Sequence, residues 1–489
     1  VNHLQEQTQT QQQPDLELLR PLCVDLDGTL VKSDTLIDSL LVLLRTHPAS
    51  ALKTFRWVLD GKAALKAQVA NHVSLDVAHL PYNRPLLAWL EQERGQGRRV
   101  YLTTGADARL AERIAAHLRI FDGVLASDGS TNLTGNNKLA TLRAEFNGED
   151  FDYIGNARPD LPLLEHAGAA MLANPHASLK SLVKAHKIEI HQHFEDRASR
   201  GKAFLKAIRL HQWAKNVLIF VPLLLAHALK VPLILQAVLA FFCFSLCASA
   251  TYIVNDLLDI ETDRKHHRKR FRPFAAGDLQ VSTGVAIILA FLALAFFGTL
   301  FLPIEFLGWL VLYLVVTLSY SLALKRVVLV DVIILSGLYT VRMLAGGAAT
   351  GTIISTWLAG FSVFLFFSLA LVKRFSEMQK LRELGTAPSN GRGYLVADIE
   401  QLRSFGTASA YAAVVVFSLY ISGSNVTKLY LHPIRMWLMV PLMLLWISRV
   451  WLLASRGEMN EDPVIFAVTD RMSLLIGLAV VAVAVFATF

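Results

Sequence analysis

The chain predicts a two-part architecture. A soluble α/β domain, built on a doubly wound parallel sheet with a helical cap, precedes an all-α polytopic membrane domain of about nine transmembrane helices. Three observations predict it. Short apolar runs alternate with helical stretches as far as Ile190. From Val217 to Phe489, apolar stretches follow one another at lengths near the ~20 residues that a spanning helix needs. The charges also divide: residues 1–200 hold 22 Lys+Arg against 24 Asp+Glu, and residues 201–489 hold 25 against 15. With 54% hydrophobic and 18% charged residues among 489, one ordinary soluble domain, which would be about 25% charged, is excluded.

Residues 1–19 open polar and Gln-rich, without the apolar core of a secretory leader, and are expected to form a disordered tail. The soluble domain is expected at 20–190. Its candidate strands are Leu22–Leu26, Val100–Thr103, Gly123–Ala126, Tyr153–Gly155 and Ala170–Ala173, separated by stretches such as Leu86–Arg94 and Ala106–His117 with apolar residues at helical spacing. A helical insertion at about 34–85, with Trp57, Leu59 and Leu65, is too long for a plain crossover and reads as a cap. The charged stretch 191–206 reads as a linker, and the membrane domain as 207–489. Cys23, Cys243 and Cys247 have neither disulfide nor zinc spacing.

The nine expected spans are Val217–Leu229, Pro232–Val254, Leu279–Leu302, Phe306–Leu324, Val327–Ala349, Ile353–Val372, Phe405–Ser422, Ile434–Leu453 and Ser473–Phe489. The first is short and borrows from Leu210–Asn216. The connections after the second and sixth spans carry six Lys+Arg each, whereas the alternate set carries only Lys230, Lys428 and Arg435. The positive-inside rule then puts the amino-terminal domain and the basic connections on the cytoplasmic side of an inner membrane, and the C-terminus outside. Cations in short clusters between apolar runs suit topology and phosphorylated substrates, so no nucleic-acid partner is expected.

Cys23-Val24-Asp25-Leu26-Asp27-Gly28-Thr29-Leu30 places two carboxylates two residues apart just past an apolar strand. Alternate residues of an extended strand end point to one side, so one carboxylate can attack phosphorus while the other handles the proton. The run resembles the first motif of the haloacid-dehalogenase-like phosphatases, whose domain is a Rossmann-like α/β fold. The remaining motifs follow in order: Val100-Tyr101-Leu102-Thr103-Thr104-Gly105, Lys138, and Gly155-Asn156-Ala157-Arg158-Pro159-Asp160. The resemblance implies Asp25 as nucleophile, Asp27 as general acid/base, Thr104 and Lys138 on the transferred phosphoryl group, and Mg²⁺ held around Asp25, Asp27 and Asp160. Asn156 stands where many members have an acid.

In the membrane half, polar groups are costly and so are functional candidates. Asn255, Asp259 and Asp263 fall at i, i+4 and i+8, on one helical face at the cytoplasmic end of the second span, with no buried cation in sequence reach on that face. Three such oxygen donors suit Mg²⁺ bound to a diphosphate. Lys269-Arg270-Phe271-Arg272-Pro273 follows. Together these resemble the first signature of the UbiA-type intramembrane transferases, which implies nine helices around a central cavity and makes Asp259 and Asp263 catalytic. Members using prenyl diphosphates carry a second acidic pair at the fourth-to-fifth helix junction. Here that place reads Tyr320-Ser321-Leu322-Ala323-Leu324-Lys325-Arg326, followed by a lone Asp331. With Lys215, Lys373, Arg374 and Glu377 at cytoplasmic helix ends, the pattern resembles the branch that transfers 5-phosphoribose to a polyprenyl phosphate.

That resemblance implies phosphoribosyl diphosphate and a polyprenyl phosphate lipid as substrates and Mg²⁺ in both domains. Lys215, Asn255, Lys269, Arg272, Tyr320, Lys325, Arg326, Asp331, Arg342, Lys373, Arg374 and Glu377 would bind them. Arg342, deep in an apolar span, reads as a cavity residue, and Lys215 beside Trp213 reads equally as an interfacial anchor. Asp462 and Asp470 read as helix caps or substrate contacts. The fused phosphatase would then remove the 5-phosphate, leaving polyprenyl-phosphoryl ribose. The alternatives are an aromatic or quinone-precursor prenyltransferase, and a transporter or lipid-binding scaffold with a regulatory soluble domain. A homo-oligomer is compatible with all three.

Overall fold

The computed structural model describes residues 20–489 apart from 129, 384, 386–392, 460 and 461. The tail expected at 1–19 lies outside the described residues. The chain forms two compact units: Val1–Ala207 with Asp256–Gly284, and Ile208–Asn255 with Val285–Phe489.

The first unit is built on a six-stranded sheet: β1 (Leu22–Val24), β2 (Val100–Asp107), β3 (Gly123–Ser127), β4 (Asp152–Gly155), β5 (Ala170–Ala173) and β6 (Ile190–Phe194), in the order β3-β2-β1-β4-β5-β6. Every pairing is parallel. A strand covered on both faces reads as a continuous apolar run, and Leu22, Cys23 and Val24 are fully buried. Leu22 and Val24 enter one core with Leu86, Leu90, Val100 and Ile114; Cys23 enters the other with Leu142, Tyr153 and Leu172. The sheet order reverses at β1, so the crevice past the carboxyl ends of β1 and β4 is the natural ligand position.

The five expected strands are present. The sixth is a correction: residues expected to open a linker instead supply β6, which pairs with β5. Its three central residues, His191, Gln192 and His193, are polar, so it carries no apolar run by which the sequence would mark a strand. Between β1 and β2 lie the helices Thr35–Thr46, Pro48–Ala51, Thr54–Leu59 and Lys62–His72. They close a small core of their own from Leu43, Trp57, Leu65, Val69 and Val73.

Asp256–Gly284 packs into this same unit. Arg264 donates to Asp38 at 2.8 Å, to Ser33 Oγ at 3.1 Å and to the Ala275 carbonyl at 3.1 Å. The Arg264 and Asp38 side chains are only 5% and 1% exposed. Nearer the surface, Lys265 meets Asp76 at 3.0 Å and Lys32 meets Asp278 at 3.8 Å.

Among the described residues eight helices are long and apolar enough to cross a membrane: Val231–Leu258, Val281–Thr299, Ile304–Leu322, Val330–Thr350, Thr356–Glu383, Val396–Ile421, Pro433–Ser455 and Arg471–Thr488. The first expected span, Val217–Leu229, is not one helix. Leu210–Phe220 winds as a 3₁₀ stretch and Val221–Leu225 as a single short turn with Pro222 near its start. Gly346 admits this stretch, because a Cβ there would lie 2.0 Å from the Ile219 carbonyl oxygen. The second unit's larger core joins Val332, Phe366, Leu371, Phe375, Met378, Tyr394, Ile447 and Trp451.

Candidate active sites

In the first unit, Asp25 and Asp27 leave the end of β1 through a turn that needs Gly28. Its φ is +79°, and a Cβ there would lie 1.9 Å from Asn156 Nδ2. The Asp25 carboxylate accepts from Lys138 Nζ at 2.7 Å and lies 3.4 Å from Thr29 Oγ1. Lys138, buried in the helix Asn136–Glu145, also donates to Tyr153 OH at 3.0 Å and stands 3.7 Å from Asp160. Burial alone would lower Lys138, but Asp25 and Asp160 outweigh it and hold the ammonium above its ordinary value. Burial raises Asp25 to about 6, against the pull of Lys138. Burial, with the neighbouring Asp34 charge, raises Asp27 to about 7; the Thr35 backbone N–H fixes its Oδ1 at 2.7 Å.

A cavity of about 380 Å³ opens on Asp25, Asp27, Lys66, Lys138, Asn156 and Asp160. Its wall also includes Phe274, Leu279 and Gln280. Gln280 Nε2 lies 3.0 Å from His176 Nε2, and His176 donates its backbone N–H to the Asn156 carbonyl at 2.9 Å. Thr104 is fully buried, its Oγ1 accepting from the Ala106 N–H at 2.9 Å, and does not line this cavity.

The buried Asn156 Oδ1 has no hydrogen-bond partner, whereas Asp160 accepts from Tyr153 OH at 2.8 Å and from the N–H groups of Asn156 and Ala157 at 3.0 Å each. An orphaned buried oxygen beside a carboxylate is what a divalent cation requires. The residues present therefore fit Mg²⁺, with Asn156 offering the open donor and Asp160 braced against the loop. Lys66 was not signalled by the sequence: it comes from the cap helix Lys62–His72 and reaches Asn132 Oδ1 at 2.8 Å and the Gly105 carbonyl.

The acidic run is less regular than its spacing suggests, since the helix ends at Leu258 and resumes at Ile260 after a break at Asp259. A partly exposed cation from the following turn nevertheless reaches its carboxylates. Arg272 donates to Asp263 at 2.7 Å and to Asp256 at 3.0 Å, a buried partner absent from the expected set. Burial nevertheless raises Asp263. Lys269 lies exposed on the turn Lys269–Phe271. Among the described residues no three His, Cys, Asp or Glu side chains converge as a preformed metal cage. The hard oxygen donors still fit Mg²⁺ in kind.

In the second unit, Asn255 Oδ1 lies 3.4 Å from Lys325 Nζ. Asp331, which the resemblance placed among the substrate-binding residues, is instead closed off from the neighbouring Lys325 and Arg326. It is fully buried, accepts from Arg374 Nε at 2.6 Å and from Tyr394 OH, and so neutralises an arginine. Arg374 further meets Glu377 at 2.6 Å and Tyr320 OH at 3.5 Å. Arg326 is exposed.

Asp462 collects Lys215 at 2.7 Å and Lys373 at 3.2 Å while capping the helix Pro463–Thr469, so it is both cap and ion partner. Against its burial, these two cations hold its carboxyl well below the usual range. Asp470 caps the last helix. Arg342 donates to Asn216 Oδ1 at 2.8 Å and Tyr313 OH at 3.3 Å, with its guanidinium about the rings of Phe244, Tyr313 and Tyr339 at 5.7, 5.0 and 5.4 Å.

A parallel α/β domain carrying paired aspartates, joined to a domain of eight helices long and apolar enough to cross a membrane, defines the class: a polytopic membrane protein with a fused Rossmann-like domain. The sequence profile of the UbiA prenyltransferase family matches residues 216–475, and the chain belongs to that family. It is 40% identical to the uncharacterized protein y4nM of Sinorhizobium fredii over 94% of this chain and 89% of that one. Nodulation protein NoeC of Azorhizobium caulinodans is 34% identical over 56% of this chain and 91% of its own length. Decaprenyl-phosphate phosphoribosyltransferase of Mycobacterium tuberculosis is 34% identical over 44% of this chain and 72% of its own length.

Proposed function

We propose that the membrane half transfers 5-phosphoribose from phosphoribosyl diphosphate to a polyprenyl phosphate, and that the fused domain then removes the 5-phosphate. The observation that carries this reading is the double use of Asp256–Gly284, which bears the acidic run and also walls the phosphatase-type cavity with Phe274, Leu279 and Gln280. The kinship with a decaprenyl-phosphate phosphoribosyltransferase supports the donor and acceptor. The use of Asp331 as the partner of Arg374 argues against a second magnesium site of the prenyl-diphosphate type.

In the transfer, a lipid phosphate oxygen attacks the anomeric carbon as its bond to the diphosphate breaks. A phosphate anion needs no strong base, so the protein's task is to orient and neutralise charge. Asn255, Asp259 and Asp263 would hold Mg²⁺, which supplies neutralisation of the leaving diphosphate. Lys269 and Arg272 directly follow the acidic run in sequence and would take phosphate oxygens, and Lys325, Arg326, Lys215, Lys373 and Arg342 would supply further cations. The amino-terminal unit works on the cytoplasmic side and the C-terminus lies outside.

In the hydrolysis, Asp25 attacks phosphorus and the ester oxygen of the sugar leaves, taking a proton from Asp27. Water then cleaves the aspartyl phosphate, with Asp27 accepting its proton. A carboxyl near pH 7 can serve in both directions. Lys138 holds the phosphoryl oxygens and Lys66 closes the cap side. Asp25, Asn156 and Asp160 would hold Mg²⁺, which supplies charge neutralisation at phosphorus.

The test is turnover by the full chain in nanodiscs with Mg²⁺, phosphoribosyl diphosphate and a long polyprenyl phosphate. Diphosphate, inorganic phosphate and a ribosylated lipid are expected by mass. Turnover of a prenyl diphosphate with an aromatic acceptor, and no ribosylated lipid, overturns the reading.

A further inference from the structure

The cap wears apolar residues on the wrong side. In the helix Thr54–Leu59, Trp57 is buried in the cap core and meets the His72 ring in a tilted pair, 5.1 Å between ring centres. With Leu43, Leu65, Val69 and Val73 that core is already filled. Yet Phe55 is 78% exposed, Leu59 87%, and Leu52, just before the helix, 73%; Val58 and Leu44 are exposed beside them. Five large apolar side chains within sixteen residues, all turned to solvent, are more than scattered surface residues explain.

The charges interleaved with them have one sign. Between Leu44 and Lys62 stand Arg45, Lys53, Arg56 and Lys62 against the single acid Asp60. Lys53, Arg56 and Lys62 are exposed, and among the described residues none of the four sits in an ion pair. Apolar tips ringed by cations form the surface that anionic head groups complement: the apolar tips enter the interface and the cations meet phosphate. The unit that bears this surface belongs to a chain with eight helices able to span a bilayer, so a lipid surface is always within tether length.

We propose that the outer face of the cap, Leu44 to Lys62, is a membrane-docking surface. It seats Leu52, Phe55, Val58 and Leu59 at the head-group level of an anionic bilayer, with Arg45, Lys53, Arg56 and Lys62 against lipid phosphates. Docking holds the cap, and with it Lys66 over the cavity, at the level where a lipid-linked phosphate resides. The surface stands on its own chemistry and does not depend on which phosphomonoester the cavity takes.

The native cysteines are all buried, so single reporter cysteines can be placed on the full chain. A nitroxide at Leu59→Cys is compared with one at the exposed control Glu145→Cys, in nanodiscs of phosphatidylcholine with about 30% phosphatidylglycerol. The oxygen-to-nickel-chelate accessibility ratio at position 59 is expected to exceed that at 145 by about 5-fold, as for a site in the interface. Adding Lys53→Glu and Arg56→Glu, both on the surface and away from the core, is expected to lower it by about 3-fold or more. Equal ratios at 59 and 145 overturn the proposal. So does a high ratio untouched by charge reversal, and so does spin–spin broadening at 59 that grows with two chains per disc, which assigns the face to a second copy.

Discussion

At the scale of single residues, Asp25 pits charge against burial. Burial lifts it to about 6 although Lys138 sits 2.7 Å away, so in metal-free protein the fold prefers its neutral form. A carboxyl raised above its unfolded value contributes stability that is complete below about pH 4 and lost as pH rises through about 6. Asp25→Asn keeps the neutral shape at every pH. In EDTA, the variant's stability relative to wild type is therefore expected to rise between pH 5 and pH 8, by about 1.5 kcal/mol. Thermal unfolding at both pH values reads it, and a gap that is flat or narrows with pH defeats the argument. The residues of this site were largely legible: spacing named Asp25 and Asp27, the family resemblance named Lys138, and the fold brings them together. Asn156 was seen but valued below Asp160, because which oxygen is left without a donor depends on the folded loop. Asp331 was misread because its partner Arg374 lies 43 residues on, beyond any local pattern.

At the scale of elements, the connection Asp256–Gly284 is tied to the soluble unit by one buried ion pair. Removing one member strands the other without water, which costs about 3–5 kcal/mol, whereas replacing both by apolar residues of similar volume can be nearly neutral. Arg264→Met alone is expected to destabilise the soluble unit by about that amount, and Arg264→Met with Asp38→Leu to recover most of it. Denaturant unfolding of the three variants decides: a single-variant loss under about 1 kcal/mol means the pair is not structural. The same connection contributes Gln280 to the cavity wall. Gln280→Ala should lower kcat/KM for the lipid-linked 5-phosphate relative to p-nitrophenyl phosphate by about 10-fold, since a small aryl ester does not span the wall. An equal loss on both substrates assigns Gln280 to the cation loop through His176 instead. None of this was readable from periodicity, which treats the stretch after the second span as a basic loop. Five of the six strands and eight spans were readable because each carries its own apolar repeat. The 3₁₀ stretch Leu210–Phe220 was not, since its shape comes from packing Ile219 onto Gly346.

At the scale of the whole molecule, the proposed reaction gives the fusion a purpose, because its intermediate would be a lipid. A ribosylated polyprenyl phosphate stays in the bilayer where it forms, and a phosphatase tethered to the same chain meets it at high effective concentration. Nanodiscs turn this into a measurement, for a long-chain lipid does not exchange between discs on the time scale of turnover. Wild-type chains, one to a disc, are expected to end at the dephosphorylated ribosyl lipid. Asp25→Asn discs should stop at the 5-phosphorylated lipid, with phosphate release reduced by about 10³-fold or more for want of the nucleophile. Asp263→Asn discs should make neither lipid. Mixed in one tube, the two variants should behave as Asp25→Asn alone, because the intact phosphatase in one disc cannot reach the lipid in the other. Reconstituted together in one vesicle membrane, they should complement each other and yield the final product. Complementation between separate discs would show that the phosphatase works on a released water-soluble ester, and the tether would then need another purpose.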